Sequence, residues 1–215
     1  MTRINEAPEH QEHSTGSTLM PRIGFEDPAR TLALAVIGLA GGVVGAFAMN
    51  VYARTARVFN EEREVPGAAP GRDRDGRGVQ PAQARDRAEN DAATRVGTAA
   101  YETVMRHEPD PATEPRLGNA VHYAFGAAAG TIYALASEEL PMLRKGFGSF
   151  YGSLVWAIAD EGFIPALGLS REPRDLPADV HAYALSGHCV YGAALECVRR
   201  LGTHAWERYR SPLSS

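Results

Sequence analysis

Titratable side chains recur inside three apolar stretches of this sequence, and their types and spacing could do chemistry. Histidine titrates near neutral pH and can move protons or bind a metal ion. Carboxylates can pair with a histidine or bind a divalent cation together with it. In chain order these residues are His122, Asp160, Glu161, His181, His188 and Glu196.

Their spacing predicts a shared polar site. His181 and His188 are seven residues apart and Glu196 follows eight later, so these side chains align on one face of a helix. His122 and Tyr133 likewise share a face of an earlier helix. We predict a polar site between helices formed by His122, Tyr133, Asp160, His188 and Glu196. It could relay protons or hold a divalent metal, and the alternative is a structural network of histidine–carboxylate hydrogen bonds.

Other motifs of enzymes and cofactor sites are absent from the sequence. No HExxH or ExxH spacing of helical metal sites occurs, so we predict no metal ligands and no cofactor. No nucleophile–base pattern or phosphate-binding glycine loop is seen, and the net charge of −4 gives no hint of nucleic-acid binding. Near the helix ends, Glu138, Glu139 and Glu196 could instead reach headgroup water. The sequence thus favours a non-enzymatic protein.

The elements that position these side chains are long apolar helices. Residues 31–53 and 117–137 contain no Asp, Glu, Lys or Arg, and about 20 apolar residues suffice to cross a bilayer. Prolines and polar runs bound four such helices, at about 31–56, 117–138, 146–168 and 178–201. We therefore predict an all-α integral membrane bundle of four transmembrane helices. A soluble helical domain is the alternative.

The polar segments divide the rest of the chain. Residues 1–30 are predicted to be a disordered tail, 31–201 the membrane domain and 202–215 a C-terminal tail. The long polar loop 57–116 contains one amphipathic helix, at about 85–107, that lies on the membrane or caps the bundle. The expected partners are the lipid bilayer and either a second copy of the chain or other membrane proteins.

Glycines at four-residue spacing predict how the helices pack. In lipid, a small residue on every fourth position lets two helix backbones approach closely. The glycines expected at such contacts are Gly38, Gly42, Gly45, Gly126, Gly130, Gly148 and Gly152. Cys189 and Cys197 are eight apart in one helix, about 12 Å along its axis, which is too far for a disulfide. They are expected to be reduced.

From His122 to Arg200 the chain resembles the YagU-like family of small bacterial inner-membrane proteins of unknown function. The positions that carry the resemblance are His122, Phe125, Tyr133, Glu138, Pro141, Gly148, Gly152, Pro165, Gly168-Leu169, Asp175-Leu176-Pro177, Gly187-His188, Glu196 and Arg199-Arg200. Asp160 departs from the pattern, since the family has a histidine there, and Glu161 has no counterpart. The resemblance implies an architecture and a location and does not imply an activity.

Three functional hypotheses follow, together with an orientation. The first is a non-enzymatic inner-membrane protein in envelope or stress physiology, and the second is a proton or ion conduit that uses the polar site. A metal-binding membrane protein or enzyme is a third. Arg144 and Lys145, with the arginines that end the last helix, favour a topology with both termini in the cytoplasm.

Overall fold

The structure, a computed structural model, describes residues 27–62, 81–170 and 172–210, and these ranges are helical without a β-strand. Most of the predicted tail 1–30 and most of the low-complexity part of the loop lie outside the described residues. Helix α1 covers Pro28–Glu62, α2 covers Pro81–Met105 and α3 covers Glu114–Glu139. The all-α prediction is confirmed for the described chain.

The predicted helix 146–168 is divided into several segments. A 3-10 turn, Pro141–Arg144, precedes α4 (Ser149–Val155), a π-helical segment (Trp156–Phe163) and the short α5 (Ile164–Ala166). The helix begins at Ser149 because Gly146, Phe147 and Gly148 all have positive φ values. We refer to residues 149–166 as the α4–α5 helix. A second 3-10 turn, Pro173–Asp175, leads into α6, Ala178–Arg210, which continues past the predicted end at 201.

Helices α1, α3, the α4–α5 helix and α6 form the bundle, and consecutive members run antiparallel. At one end, which we call the Glu196 end, Arg30 at the start of α1 pairs with Glu138 at the end of α3. At the opposite end, Asn50 of α1 donates to the Tyr123 hydroxyl (3.2 Å). Helix α2 lies outside this bundle along the first turns of α3, where Gly97 contacts Leu117.

The start of α1 is fixed by Asp27. Its Oδ1 accepts hydrogen bonds from the backbone N–H groups of Ala29 (3.0 Å) and Arg30 (3.2 Å), which have no acceptor within the helix. Its other oxygen pairs with Arg210 at the end of α6. These bonds, the one from Arg210 first, lower the pKa of the Asp27 carboxyl. Asp27 therefore joins the two ends of the described chain.

Two seams of glycine hold the bundle together. In the first, Gly38 and Gly42 of α1 lie against Gly130 and Gly126 of α3, and a methyl group built on Gly42 would overlap the Gly126 carbonyl oxygen. Such close approach gives extensive van der Waals contact between backbones. Beside this seam, Gly45 of α1 packs against the ring of Tyr191 in α6.

The second seam joins the α4–α5 helix to α6. Gly148 faces Gly192, and Gly152 faces the backbone carbonyl of His188, in both cases too closely for a side chain on the glycine. The partner glycine of this seam, Gly192, was absent from the predicted set. Helix α6 therefore contacts the α4–α5 helix through this seam, and it also lies against α1, where Gly45 meets Tyr191.

The outer surfaces of α1, α3 and the π-helical segment expose many large apolar side chains. Large hydrophobic side chains point away from the interior, among them Val36 (59% exposed), Phe125 (52%), Ile132 (61%), Ile158 (60%) and Phe163 (63%). By length and composition, one helix of the described chain is apolar enough to cross a membrane, the Pro28–Ala56 part of α1, with a mean hydropathy of 2.3. The interior of the bundle contains apolar side chains such as Leu195 together with the buried charges of Glu196 and Arg199.

Candidate functional site

The most deeply buried charge in the bundle is the carboxylate of Glu196 in α6. Its side chain is 0% exposed, and its oxygens accept hydrogen bonds from Arg199 Nε (2.6 Å), Arg200 Nε (2.7 Å) and the Tyr133 hydroxyl (2.7 Å). Arg199 is also buried. The alternative that Glu196 reaches headgroup water is therefore wrong, because two guanidinium groups and a phenol replace the water around it.

This cluster extends to the surface through further ion pairs. Arg199 Nη1 lies 3.7 Å from Glu138 Oε1, and Glu138 in turn pairs with Arg30 of α1. The guanidinium of Arg200 lies over the ring of Phe147, 4.7 Å from its centroid, a cation–π contact. Three helices thus contribute alternating charges, and the pairing limits the cost of burying Glu196.

The sequence builds this cluster locally. Glu196, Arg199 and Arg200 are three and four residues apart on α6, the spacing at which helix side chains meet. Tyr133 reaches them from α3, and its ring packs against that of Tyr151 with the centroids 4.8 Å apart. On the sequence alone, Arg199 and Arg200 serve as topology signals and as positions of the family resemblance and are not assigned to the polar site, although their spacing from Glu196 could have identified them.

Two further buried tyrosines tie α3 to its neighbours. The hydroxyl of Tyr151 donates to the carbonyl of Ala129, and that of Tyr191 donates to the carbonyl of Gly126, both at 2.7 Å. With Leu143 and Leu195, these side chains form a layer of buried core residues. This layer is apolar except for phenol groups, and both of these phenols bond to the backbone.

A second polar region lies toward the opposite end, where the π-helical segment faces α6. Asp160 Oδ2 is 3.5 Å from His188 Nε2, and both side chains are at most 10% exposed. His188 Nδ1 lies 3.0 Å from the carbonyl oxygen of Ala184, one turn earlier in α6. The imidazole of His188 therefore lies between a backbone carbonyl and a carboxylate.

The neighbouring residue makes a matching pair. Glu161 Oε1 is 2.8 Å from His181 Nδ1, and His181 Nε2 lies 3.0 Å from the carbonyl oxygen of Pro173. Their side chains are 19% and 24% exposed, so this pair is nearer to solvent than the first. Glu161 and His181 were named among the titratable residues but left out of the predicted site.

The residues predicted to form one site occupy two regions. Tyr133 and Glu196 meet in one cluster, and Asp160 and His188 form a pair in the other. About 12 Å along α6 separates His188 from Glu196, at 1.5 Å per residue. His122 is half-buried on α3, one turn before Gly126, with its ring edge-on to Tyr123 (centroids 5.7 Å apart). Its contact with His188 stays a prediction.

These groups do not assemble into a ligand set. Within residues 27–62, 81–170 and 172–210, no three His, Cys, Asp or Glu side chains come together in a way that could hold a metal ion. Cys189 and Cys197 are free thiols, and Cys189 Sγ lies 3.7 Å from the Ser153 hydroxyl. The arrangement can bury charge and bind protons.

Comparison with known proteins identifies a family and no activity. Residues 70–197, more than half of the chain, match the family model described as "Protein of unknown function (DUF1440)". Nothing among the curated proteins matches the chain, and nothing among the solved structures does. The matched region contains α2 to α5 and α6 up to the Glu196 cluster.

Proposed function

The chain belongs to the DUF1440 family of proteins of unknown function, and from its geometry we propose that it is a non-enzymatic integral membrane protein. In this proposal α1, α3, the α4–α5 helix and α6 cross the bilayer as four antiparallel spans. Helix α2 and the loop around it remain in the interface or in water. The bundle is held by glycine seams and by its buried ion pairs.

The observation that carries the proposal is the distribution of charge and apolar surface. Glu196 and Arg199 are buried inside the bundle, whereas Phe125, Ile132 and Ile158 are more than half exposed on its outside. In water these outer residues would leave large apolar areas exposed. This is unfavourable, because the burial of apolar surface contributes about 25 cal/mol per Å². Lipid chains would cover them, and intramembrane charges face the bundle interior for the same reason.

The helix contacts support the same environment. Within a bilayer, helices gain no hydrophobic energy by associating, so their contacts depend on small residues and on buried polar groups. Both seams, Gly38 and Gly42 against α3 and Gly148 and Gly152 against α6, have this character. The tyrosine hydroxyls that donate to α3 carbonyls add interhelical hydrogen bonds in the same interior.

The orientation and location in the proposal rest on charge and resemblance. Arg144, Lys145 and Arg208 lie at the Glu196 end, while the opposite end combines Arg116 and Arg174 with the carboxylates of Glu172 and Asp175. Because cytoplasmic loops are rich in Lys and Arg, the Glu196 end is assigned to the cytoplasm, with both termini on that side. The resemblance to the YagU-like family supports the bacterial inner membrane and a role in envelope physiology.

Membrane extraction tests the proposal. The chain expressed in bacteria is expected to sediment with membranes, to resist alkaline carbonate and to be released by detergent. A truncated chain of residues 57–215, which lacks the apolar part of α1, is the matched control. Release of the full chain by carbonate would contradict the proposal. If carbonate released the truncated chain but not the full chain, α1 would be the only anchor. The four-span arrangement would then be wrong.

A second candidate, a proton or ion conduit, is favoured by the His188–Asp160 pair. A titratable pair that is at most 10% exposed in the middle of a proposed membrane bundle is a frequent feature of proton pathways. Proteoliposomes with an internal pH dye would reveal conduction as a proton flux under an imposed voltage. The His188→Gln variant should abolish a flux that uses this pair, and equal flux in both would exclude the pair from the path.

A further inference from the structure

We propose that the Glu196 end of the bundle has a binding site for the phosphate group of an anionic phospholipid, formed by Arg144, Lys145 and Arg200. The site rests on the proposed membrane function, because its ligand is a lipid of the surrounding bilayer. It selects one class among the lipids that would cover the bundle. A zwitterionic lipid carries the same phosphate together with a compensating amine, and it is expected to bind more weakly.

The guanidinium group of Arg200 is held in place and is only partly used. Its Nε donates to Glu196 Oε1 at 2.7 Å, and its Cζ lies over the ring of Phe147, 4.7 Å from the centroid. The N–H groups on Nη1 and Nη2 have no acceptor among the residues that the structure describes, and the side chain is 57% exposed. These groups can therefore donate to two oxygens of one phosphate group, which is a geometry that arginine favours.

The turn before α4 brings two further cations to this arginine. Phe147, which lies beneath the guanidinium of Arg200, is two residues after Lys145 and three after Arg144. The turn lies directly against α6, since Gly148 approaches the α6 backbone too closely for a side chain. Within residues 27–62, 81–170 and 172–210, neither Arg144 nor Lys145 forms an ion pair with a carboxylate. Both charges are therefore available to an anion from outside the chain.

The acidic residues at this end do not neutralise the cations. Seven Arg or Lys and five Asp or Glu are found in the described residues of this end, 27–30, 138–148 and 196–210. The buried Glu196 carboxylate is shared by two arginines, Arg199 and Arg200. Glu138 is likewise shared, by Arg30 and Arg199. An excess of positive charge beside a bilayer attracts anionic headgroups, and basic pockets between membrane helices bind them.

Apolar surface next to the cations would accommodate the acyl chains. Phe147 in the turn and Leu201, which follows Arg200, are 44% and 67% exposed. Phe150 (40%) and Leu154 (38%) are one turn apart on α4, so they share a face that runs from this end toward the middle of the bundle. Cations at the end of an apolar surface match the structure of a phospholipid, whereas a free phosphate ion would use the cations alone.

Lipid binding to the full chain in detergent tests the site. Native mass spectrometry counts bound lipids as dioleoyl phosphatidylglycerol or dioleoyl phosphatidylcholine is added, two lipids with the same acyl chains. The wild type is expected to bind one phosphatidylglycerol about tenfold more tightly than phosphatidylcholine, because each Arg or Lys near the headgroup adds to the attraction. Added salt should reduce this preference, since it screens exposed charges.

Two double variants locate the site. Arg144→Gln with Lys145→Gln removes two of its cations and keeps Arg200, which also stabilises the buried carboxylate. We expect about tenfold weaker binding of phosphatidylglycerol and an unchanged melting temperature, because neither side chain has a described ion-pair partner. Arg95→Gln with Arg116→Gln is the matched control. It removes two exposed cations from α2 and the start of α3 and should bind the lipid as the wild type does.

The outcomes separate the lipid site from the membrane proposal. Equal affinities of the wild type for the two lipids would overturn the site, and so would wild-type affinity in the variant at Arg144 and Lys145. Displacement of phosphatidylglycerol by inorganic phosphate of equal concentration would indicate a site for the free ion and would also overturn it. If these results came from a chain that requires detergent, the four-span proposal would stand. A chain that stays monodisperse without detergent would contradict the four-span proposal and the lipid site together.

Discussion

The two faces of α3 show opposite chemistry. The face toward α6 buries Tyr133 and Ser137 and meets the charges of Glu196 and Arg199. The outward face exposes Phe125 and Ile132, which are 52% and 61% accessible. A water-soluble helix has the reverse arrangement, with its apolar stripe inward and its polar residues outward. The exposed apolar side chains of the outward face are the surface that lipid would cover in the proposed membrane arrangement.

The average composition of the chain conceals this contrast between buried charges and exposed apolar residues. Charged residues amount to 22% of the sequence, as in ordinary soluble proteins. Many of them lie in loops and at helix ends, and those inside the bundle are paired with one another. If the comparison of the two faces is correct, substitutions inside should be costly and equivalent substitutions outside should not.

The largest effect is expected from Glu196→Ala. This change leaves the buried guanidinium of Arg199 without its main partner, and breaking a buried pair in this way costs about 3–5 kcal/mol. The free energy of unfolding in mixed detergent micelles would measure it. Glu207→Ala, at an exposed position of the same helix, is the control and should change stability by less than about 0.5 kcal/mol. Equal losses of unfolding free energy in Glu196→Ala and Glu207→Ala would contradict the expected difference between buried and exposed positions.

Tyr133→Phe should have the next largest effect. It removes the hydroxyl that donates to Glu196 without changing the ring that packs on Tyr151, and a hydrogen bond to a charged group contributes about 2 kcal/mol. Tyr209→Phe is the control, since Tyr209 is 69% exposed. Thermal unfolding in detergent would reveal the difference. A wild-type melting temperature for Tyr133→Phe would mean that the arginines alone satisfy Glu196.

Gly42→Ala should destabilise the bundle by about 1–3 kcal/mol through overpacking, because the new methyl group overlaps the backbone of α3. The matched change is Gly187→Ala on α6, where a methyl group would meet Met49 Cε at an ordinary 3.5 Å. Alanine favours a helix over glycine, so this control should be neutral or stabilising. The opposite order of stabilities would show that the first glycine seam is looser than described.

The smallest effect is expected on the outer surface. Ile132→Ala should change the stability of the bundle by less than about 0.5 kcal/mol, because its side chain contacts the surrounding medium. Leu195→Ala, at a fully buried position of α6, should cost about 2–5 kcal/mol. Comparable losses at both positions would indicate that a protein surface, rather than lipid or detergent, covers Ile132.

The sequence predicted the all-α class and the approximate positions of α1, α3 and α6, because charge-free runs and prolines mark them, whereas the ends of these helices extend beyond the predicted ones. It did not predict the π-helical segment, since that widening leaves no periodic signal around Asp160 and Glu161. The split of the polar site had a related cause. Seven- and eight-residue spacings show that residues share one face of α6. They do not show which residue of a neighbouring helix contacts each of them along the helix axis. His188 therefore pairs with Asp160, while Glu196 pairs with Tyr133 and the arginines, two turns away.

Site-directed spin labelling in liposomes tests the central claim most directly. Labels at Val36, Ile132 and Ile158 report contact with lipid through high collision rates with oxygen and low rates with a water-soluble nickel chelate. A label at Lys145 is the aqueous control. We predict oxygen-dominated relaxation at all three outer positions of α1, α3 and the π-helical segment. Nickel-dominated relaxation at Ile132 and Ile158 would show that these helices face water, and it would contradict the four-span bundle.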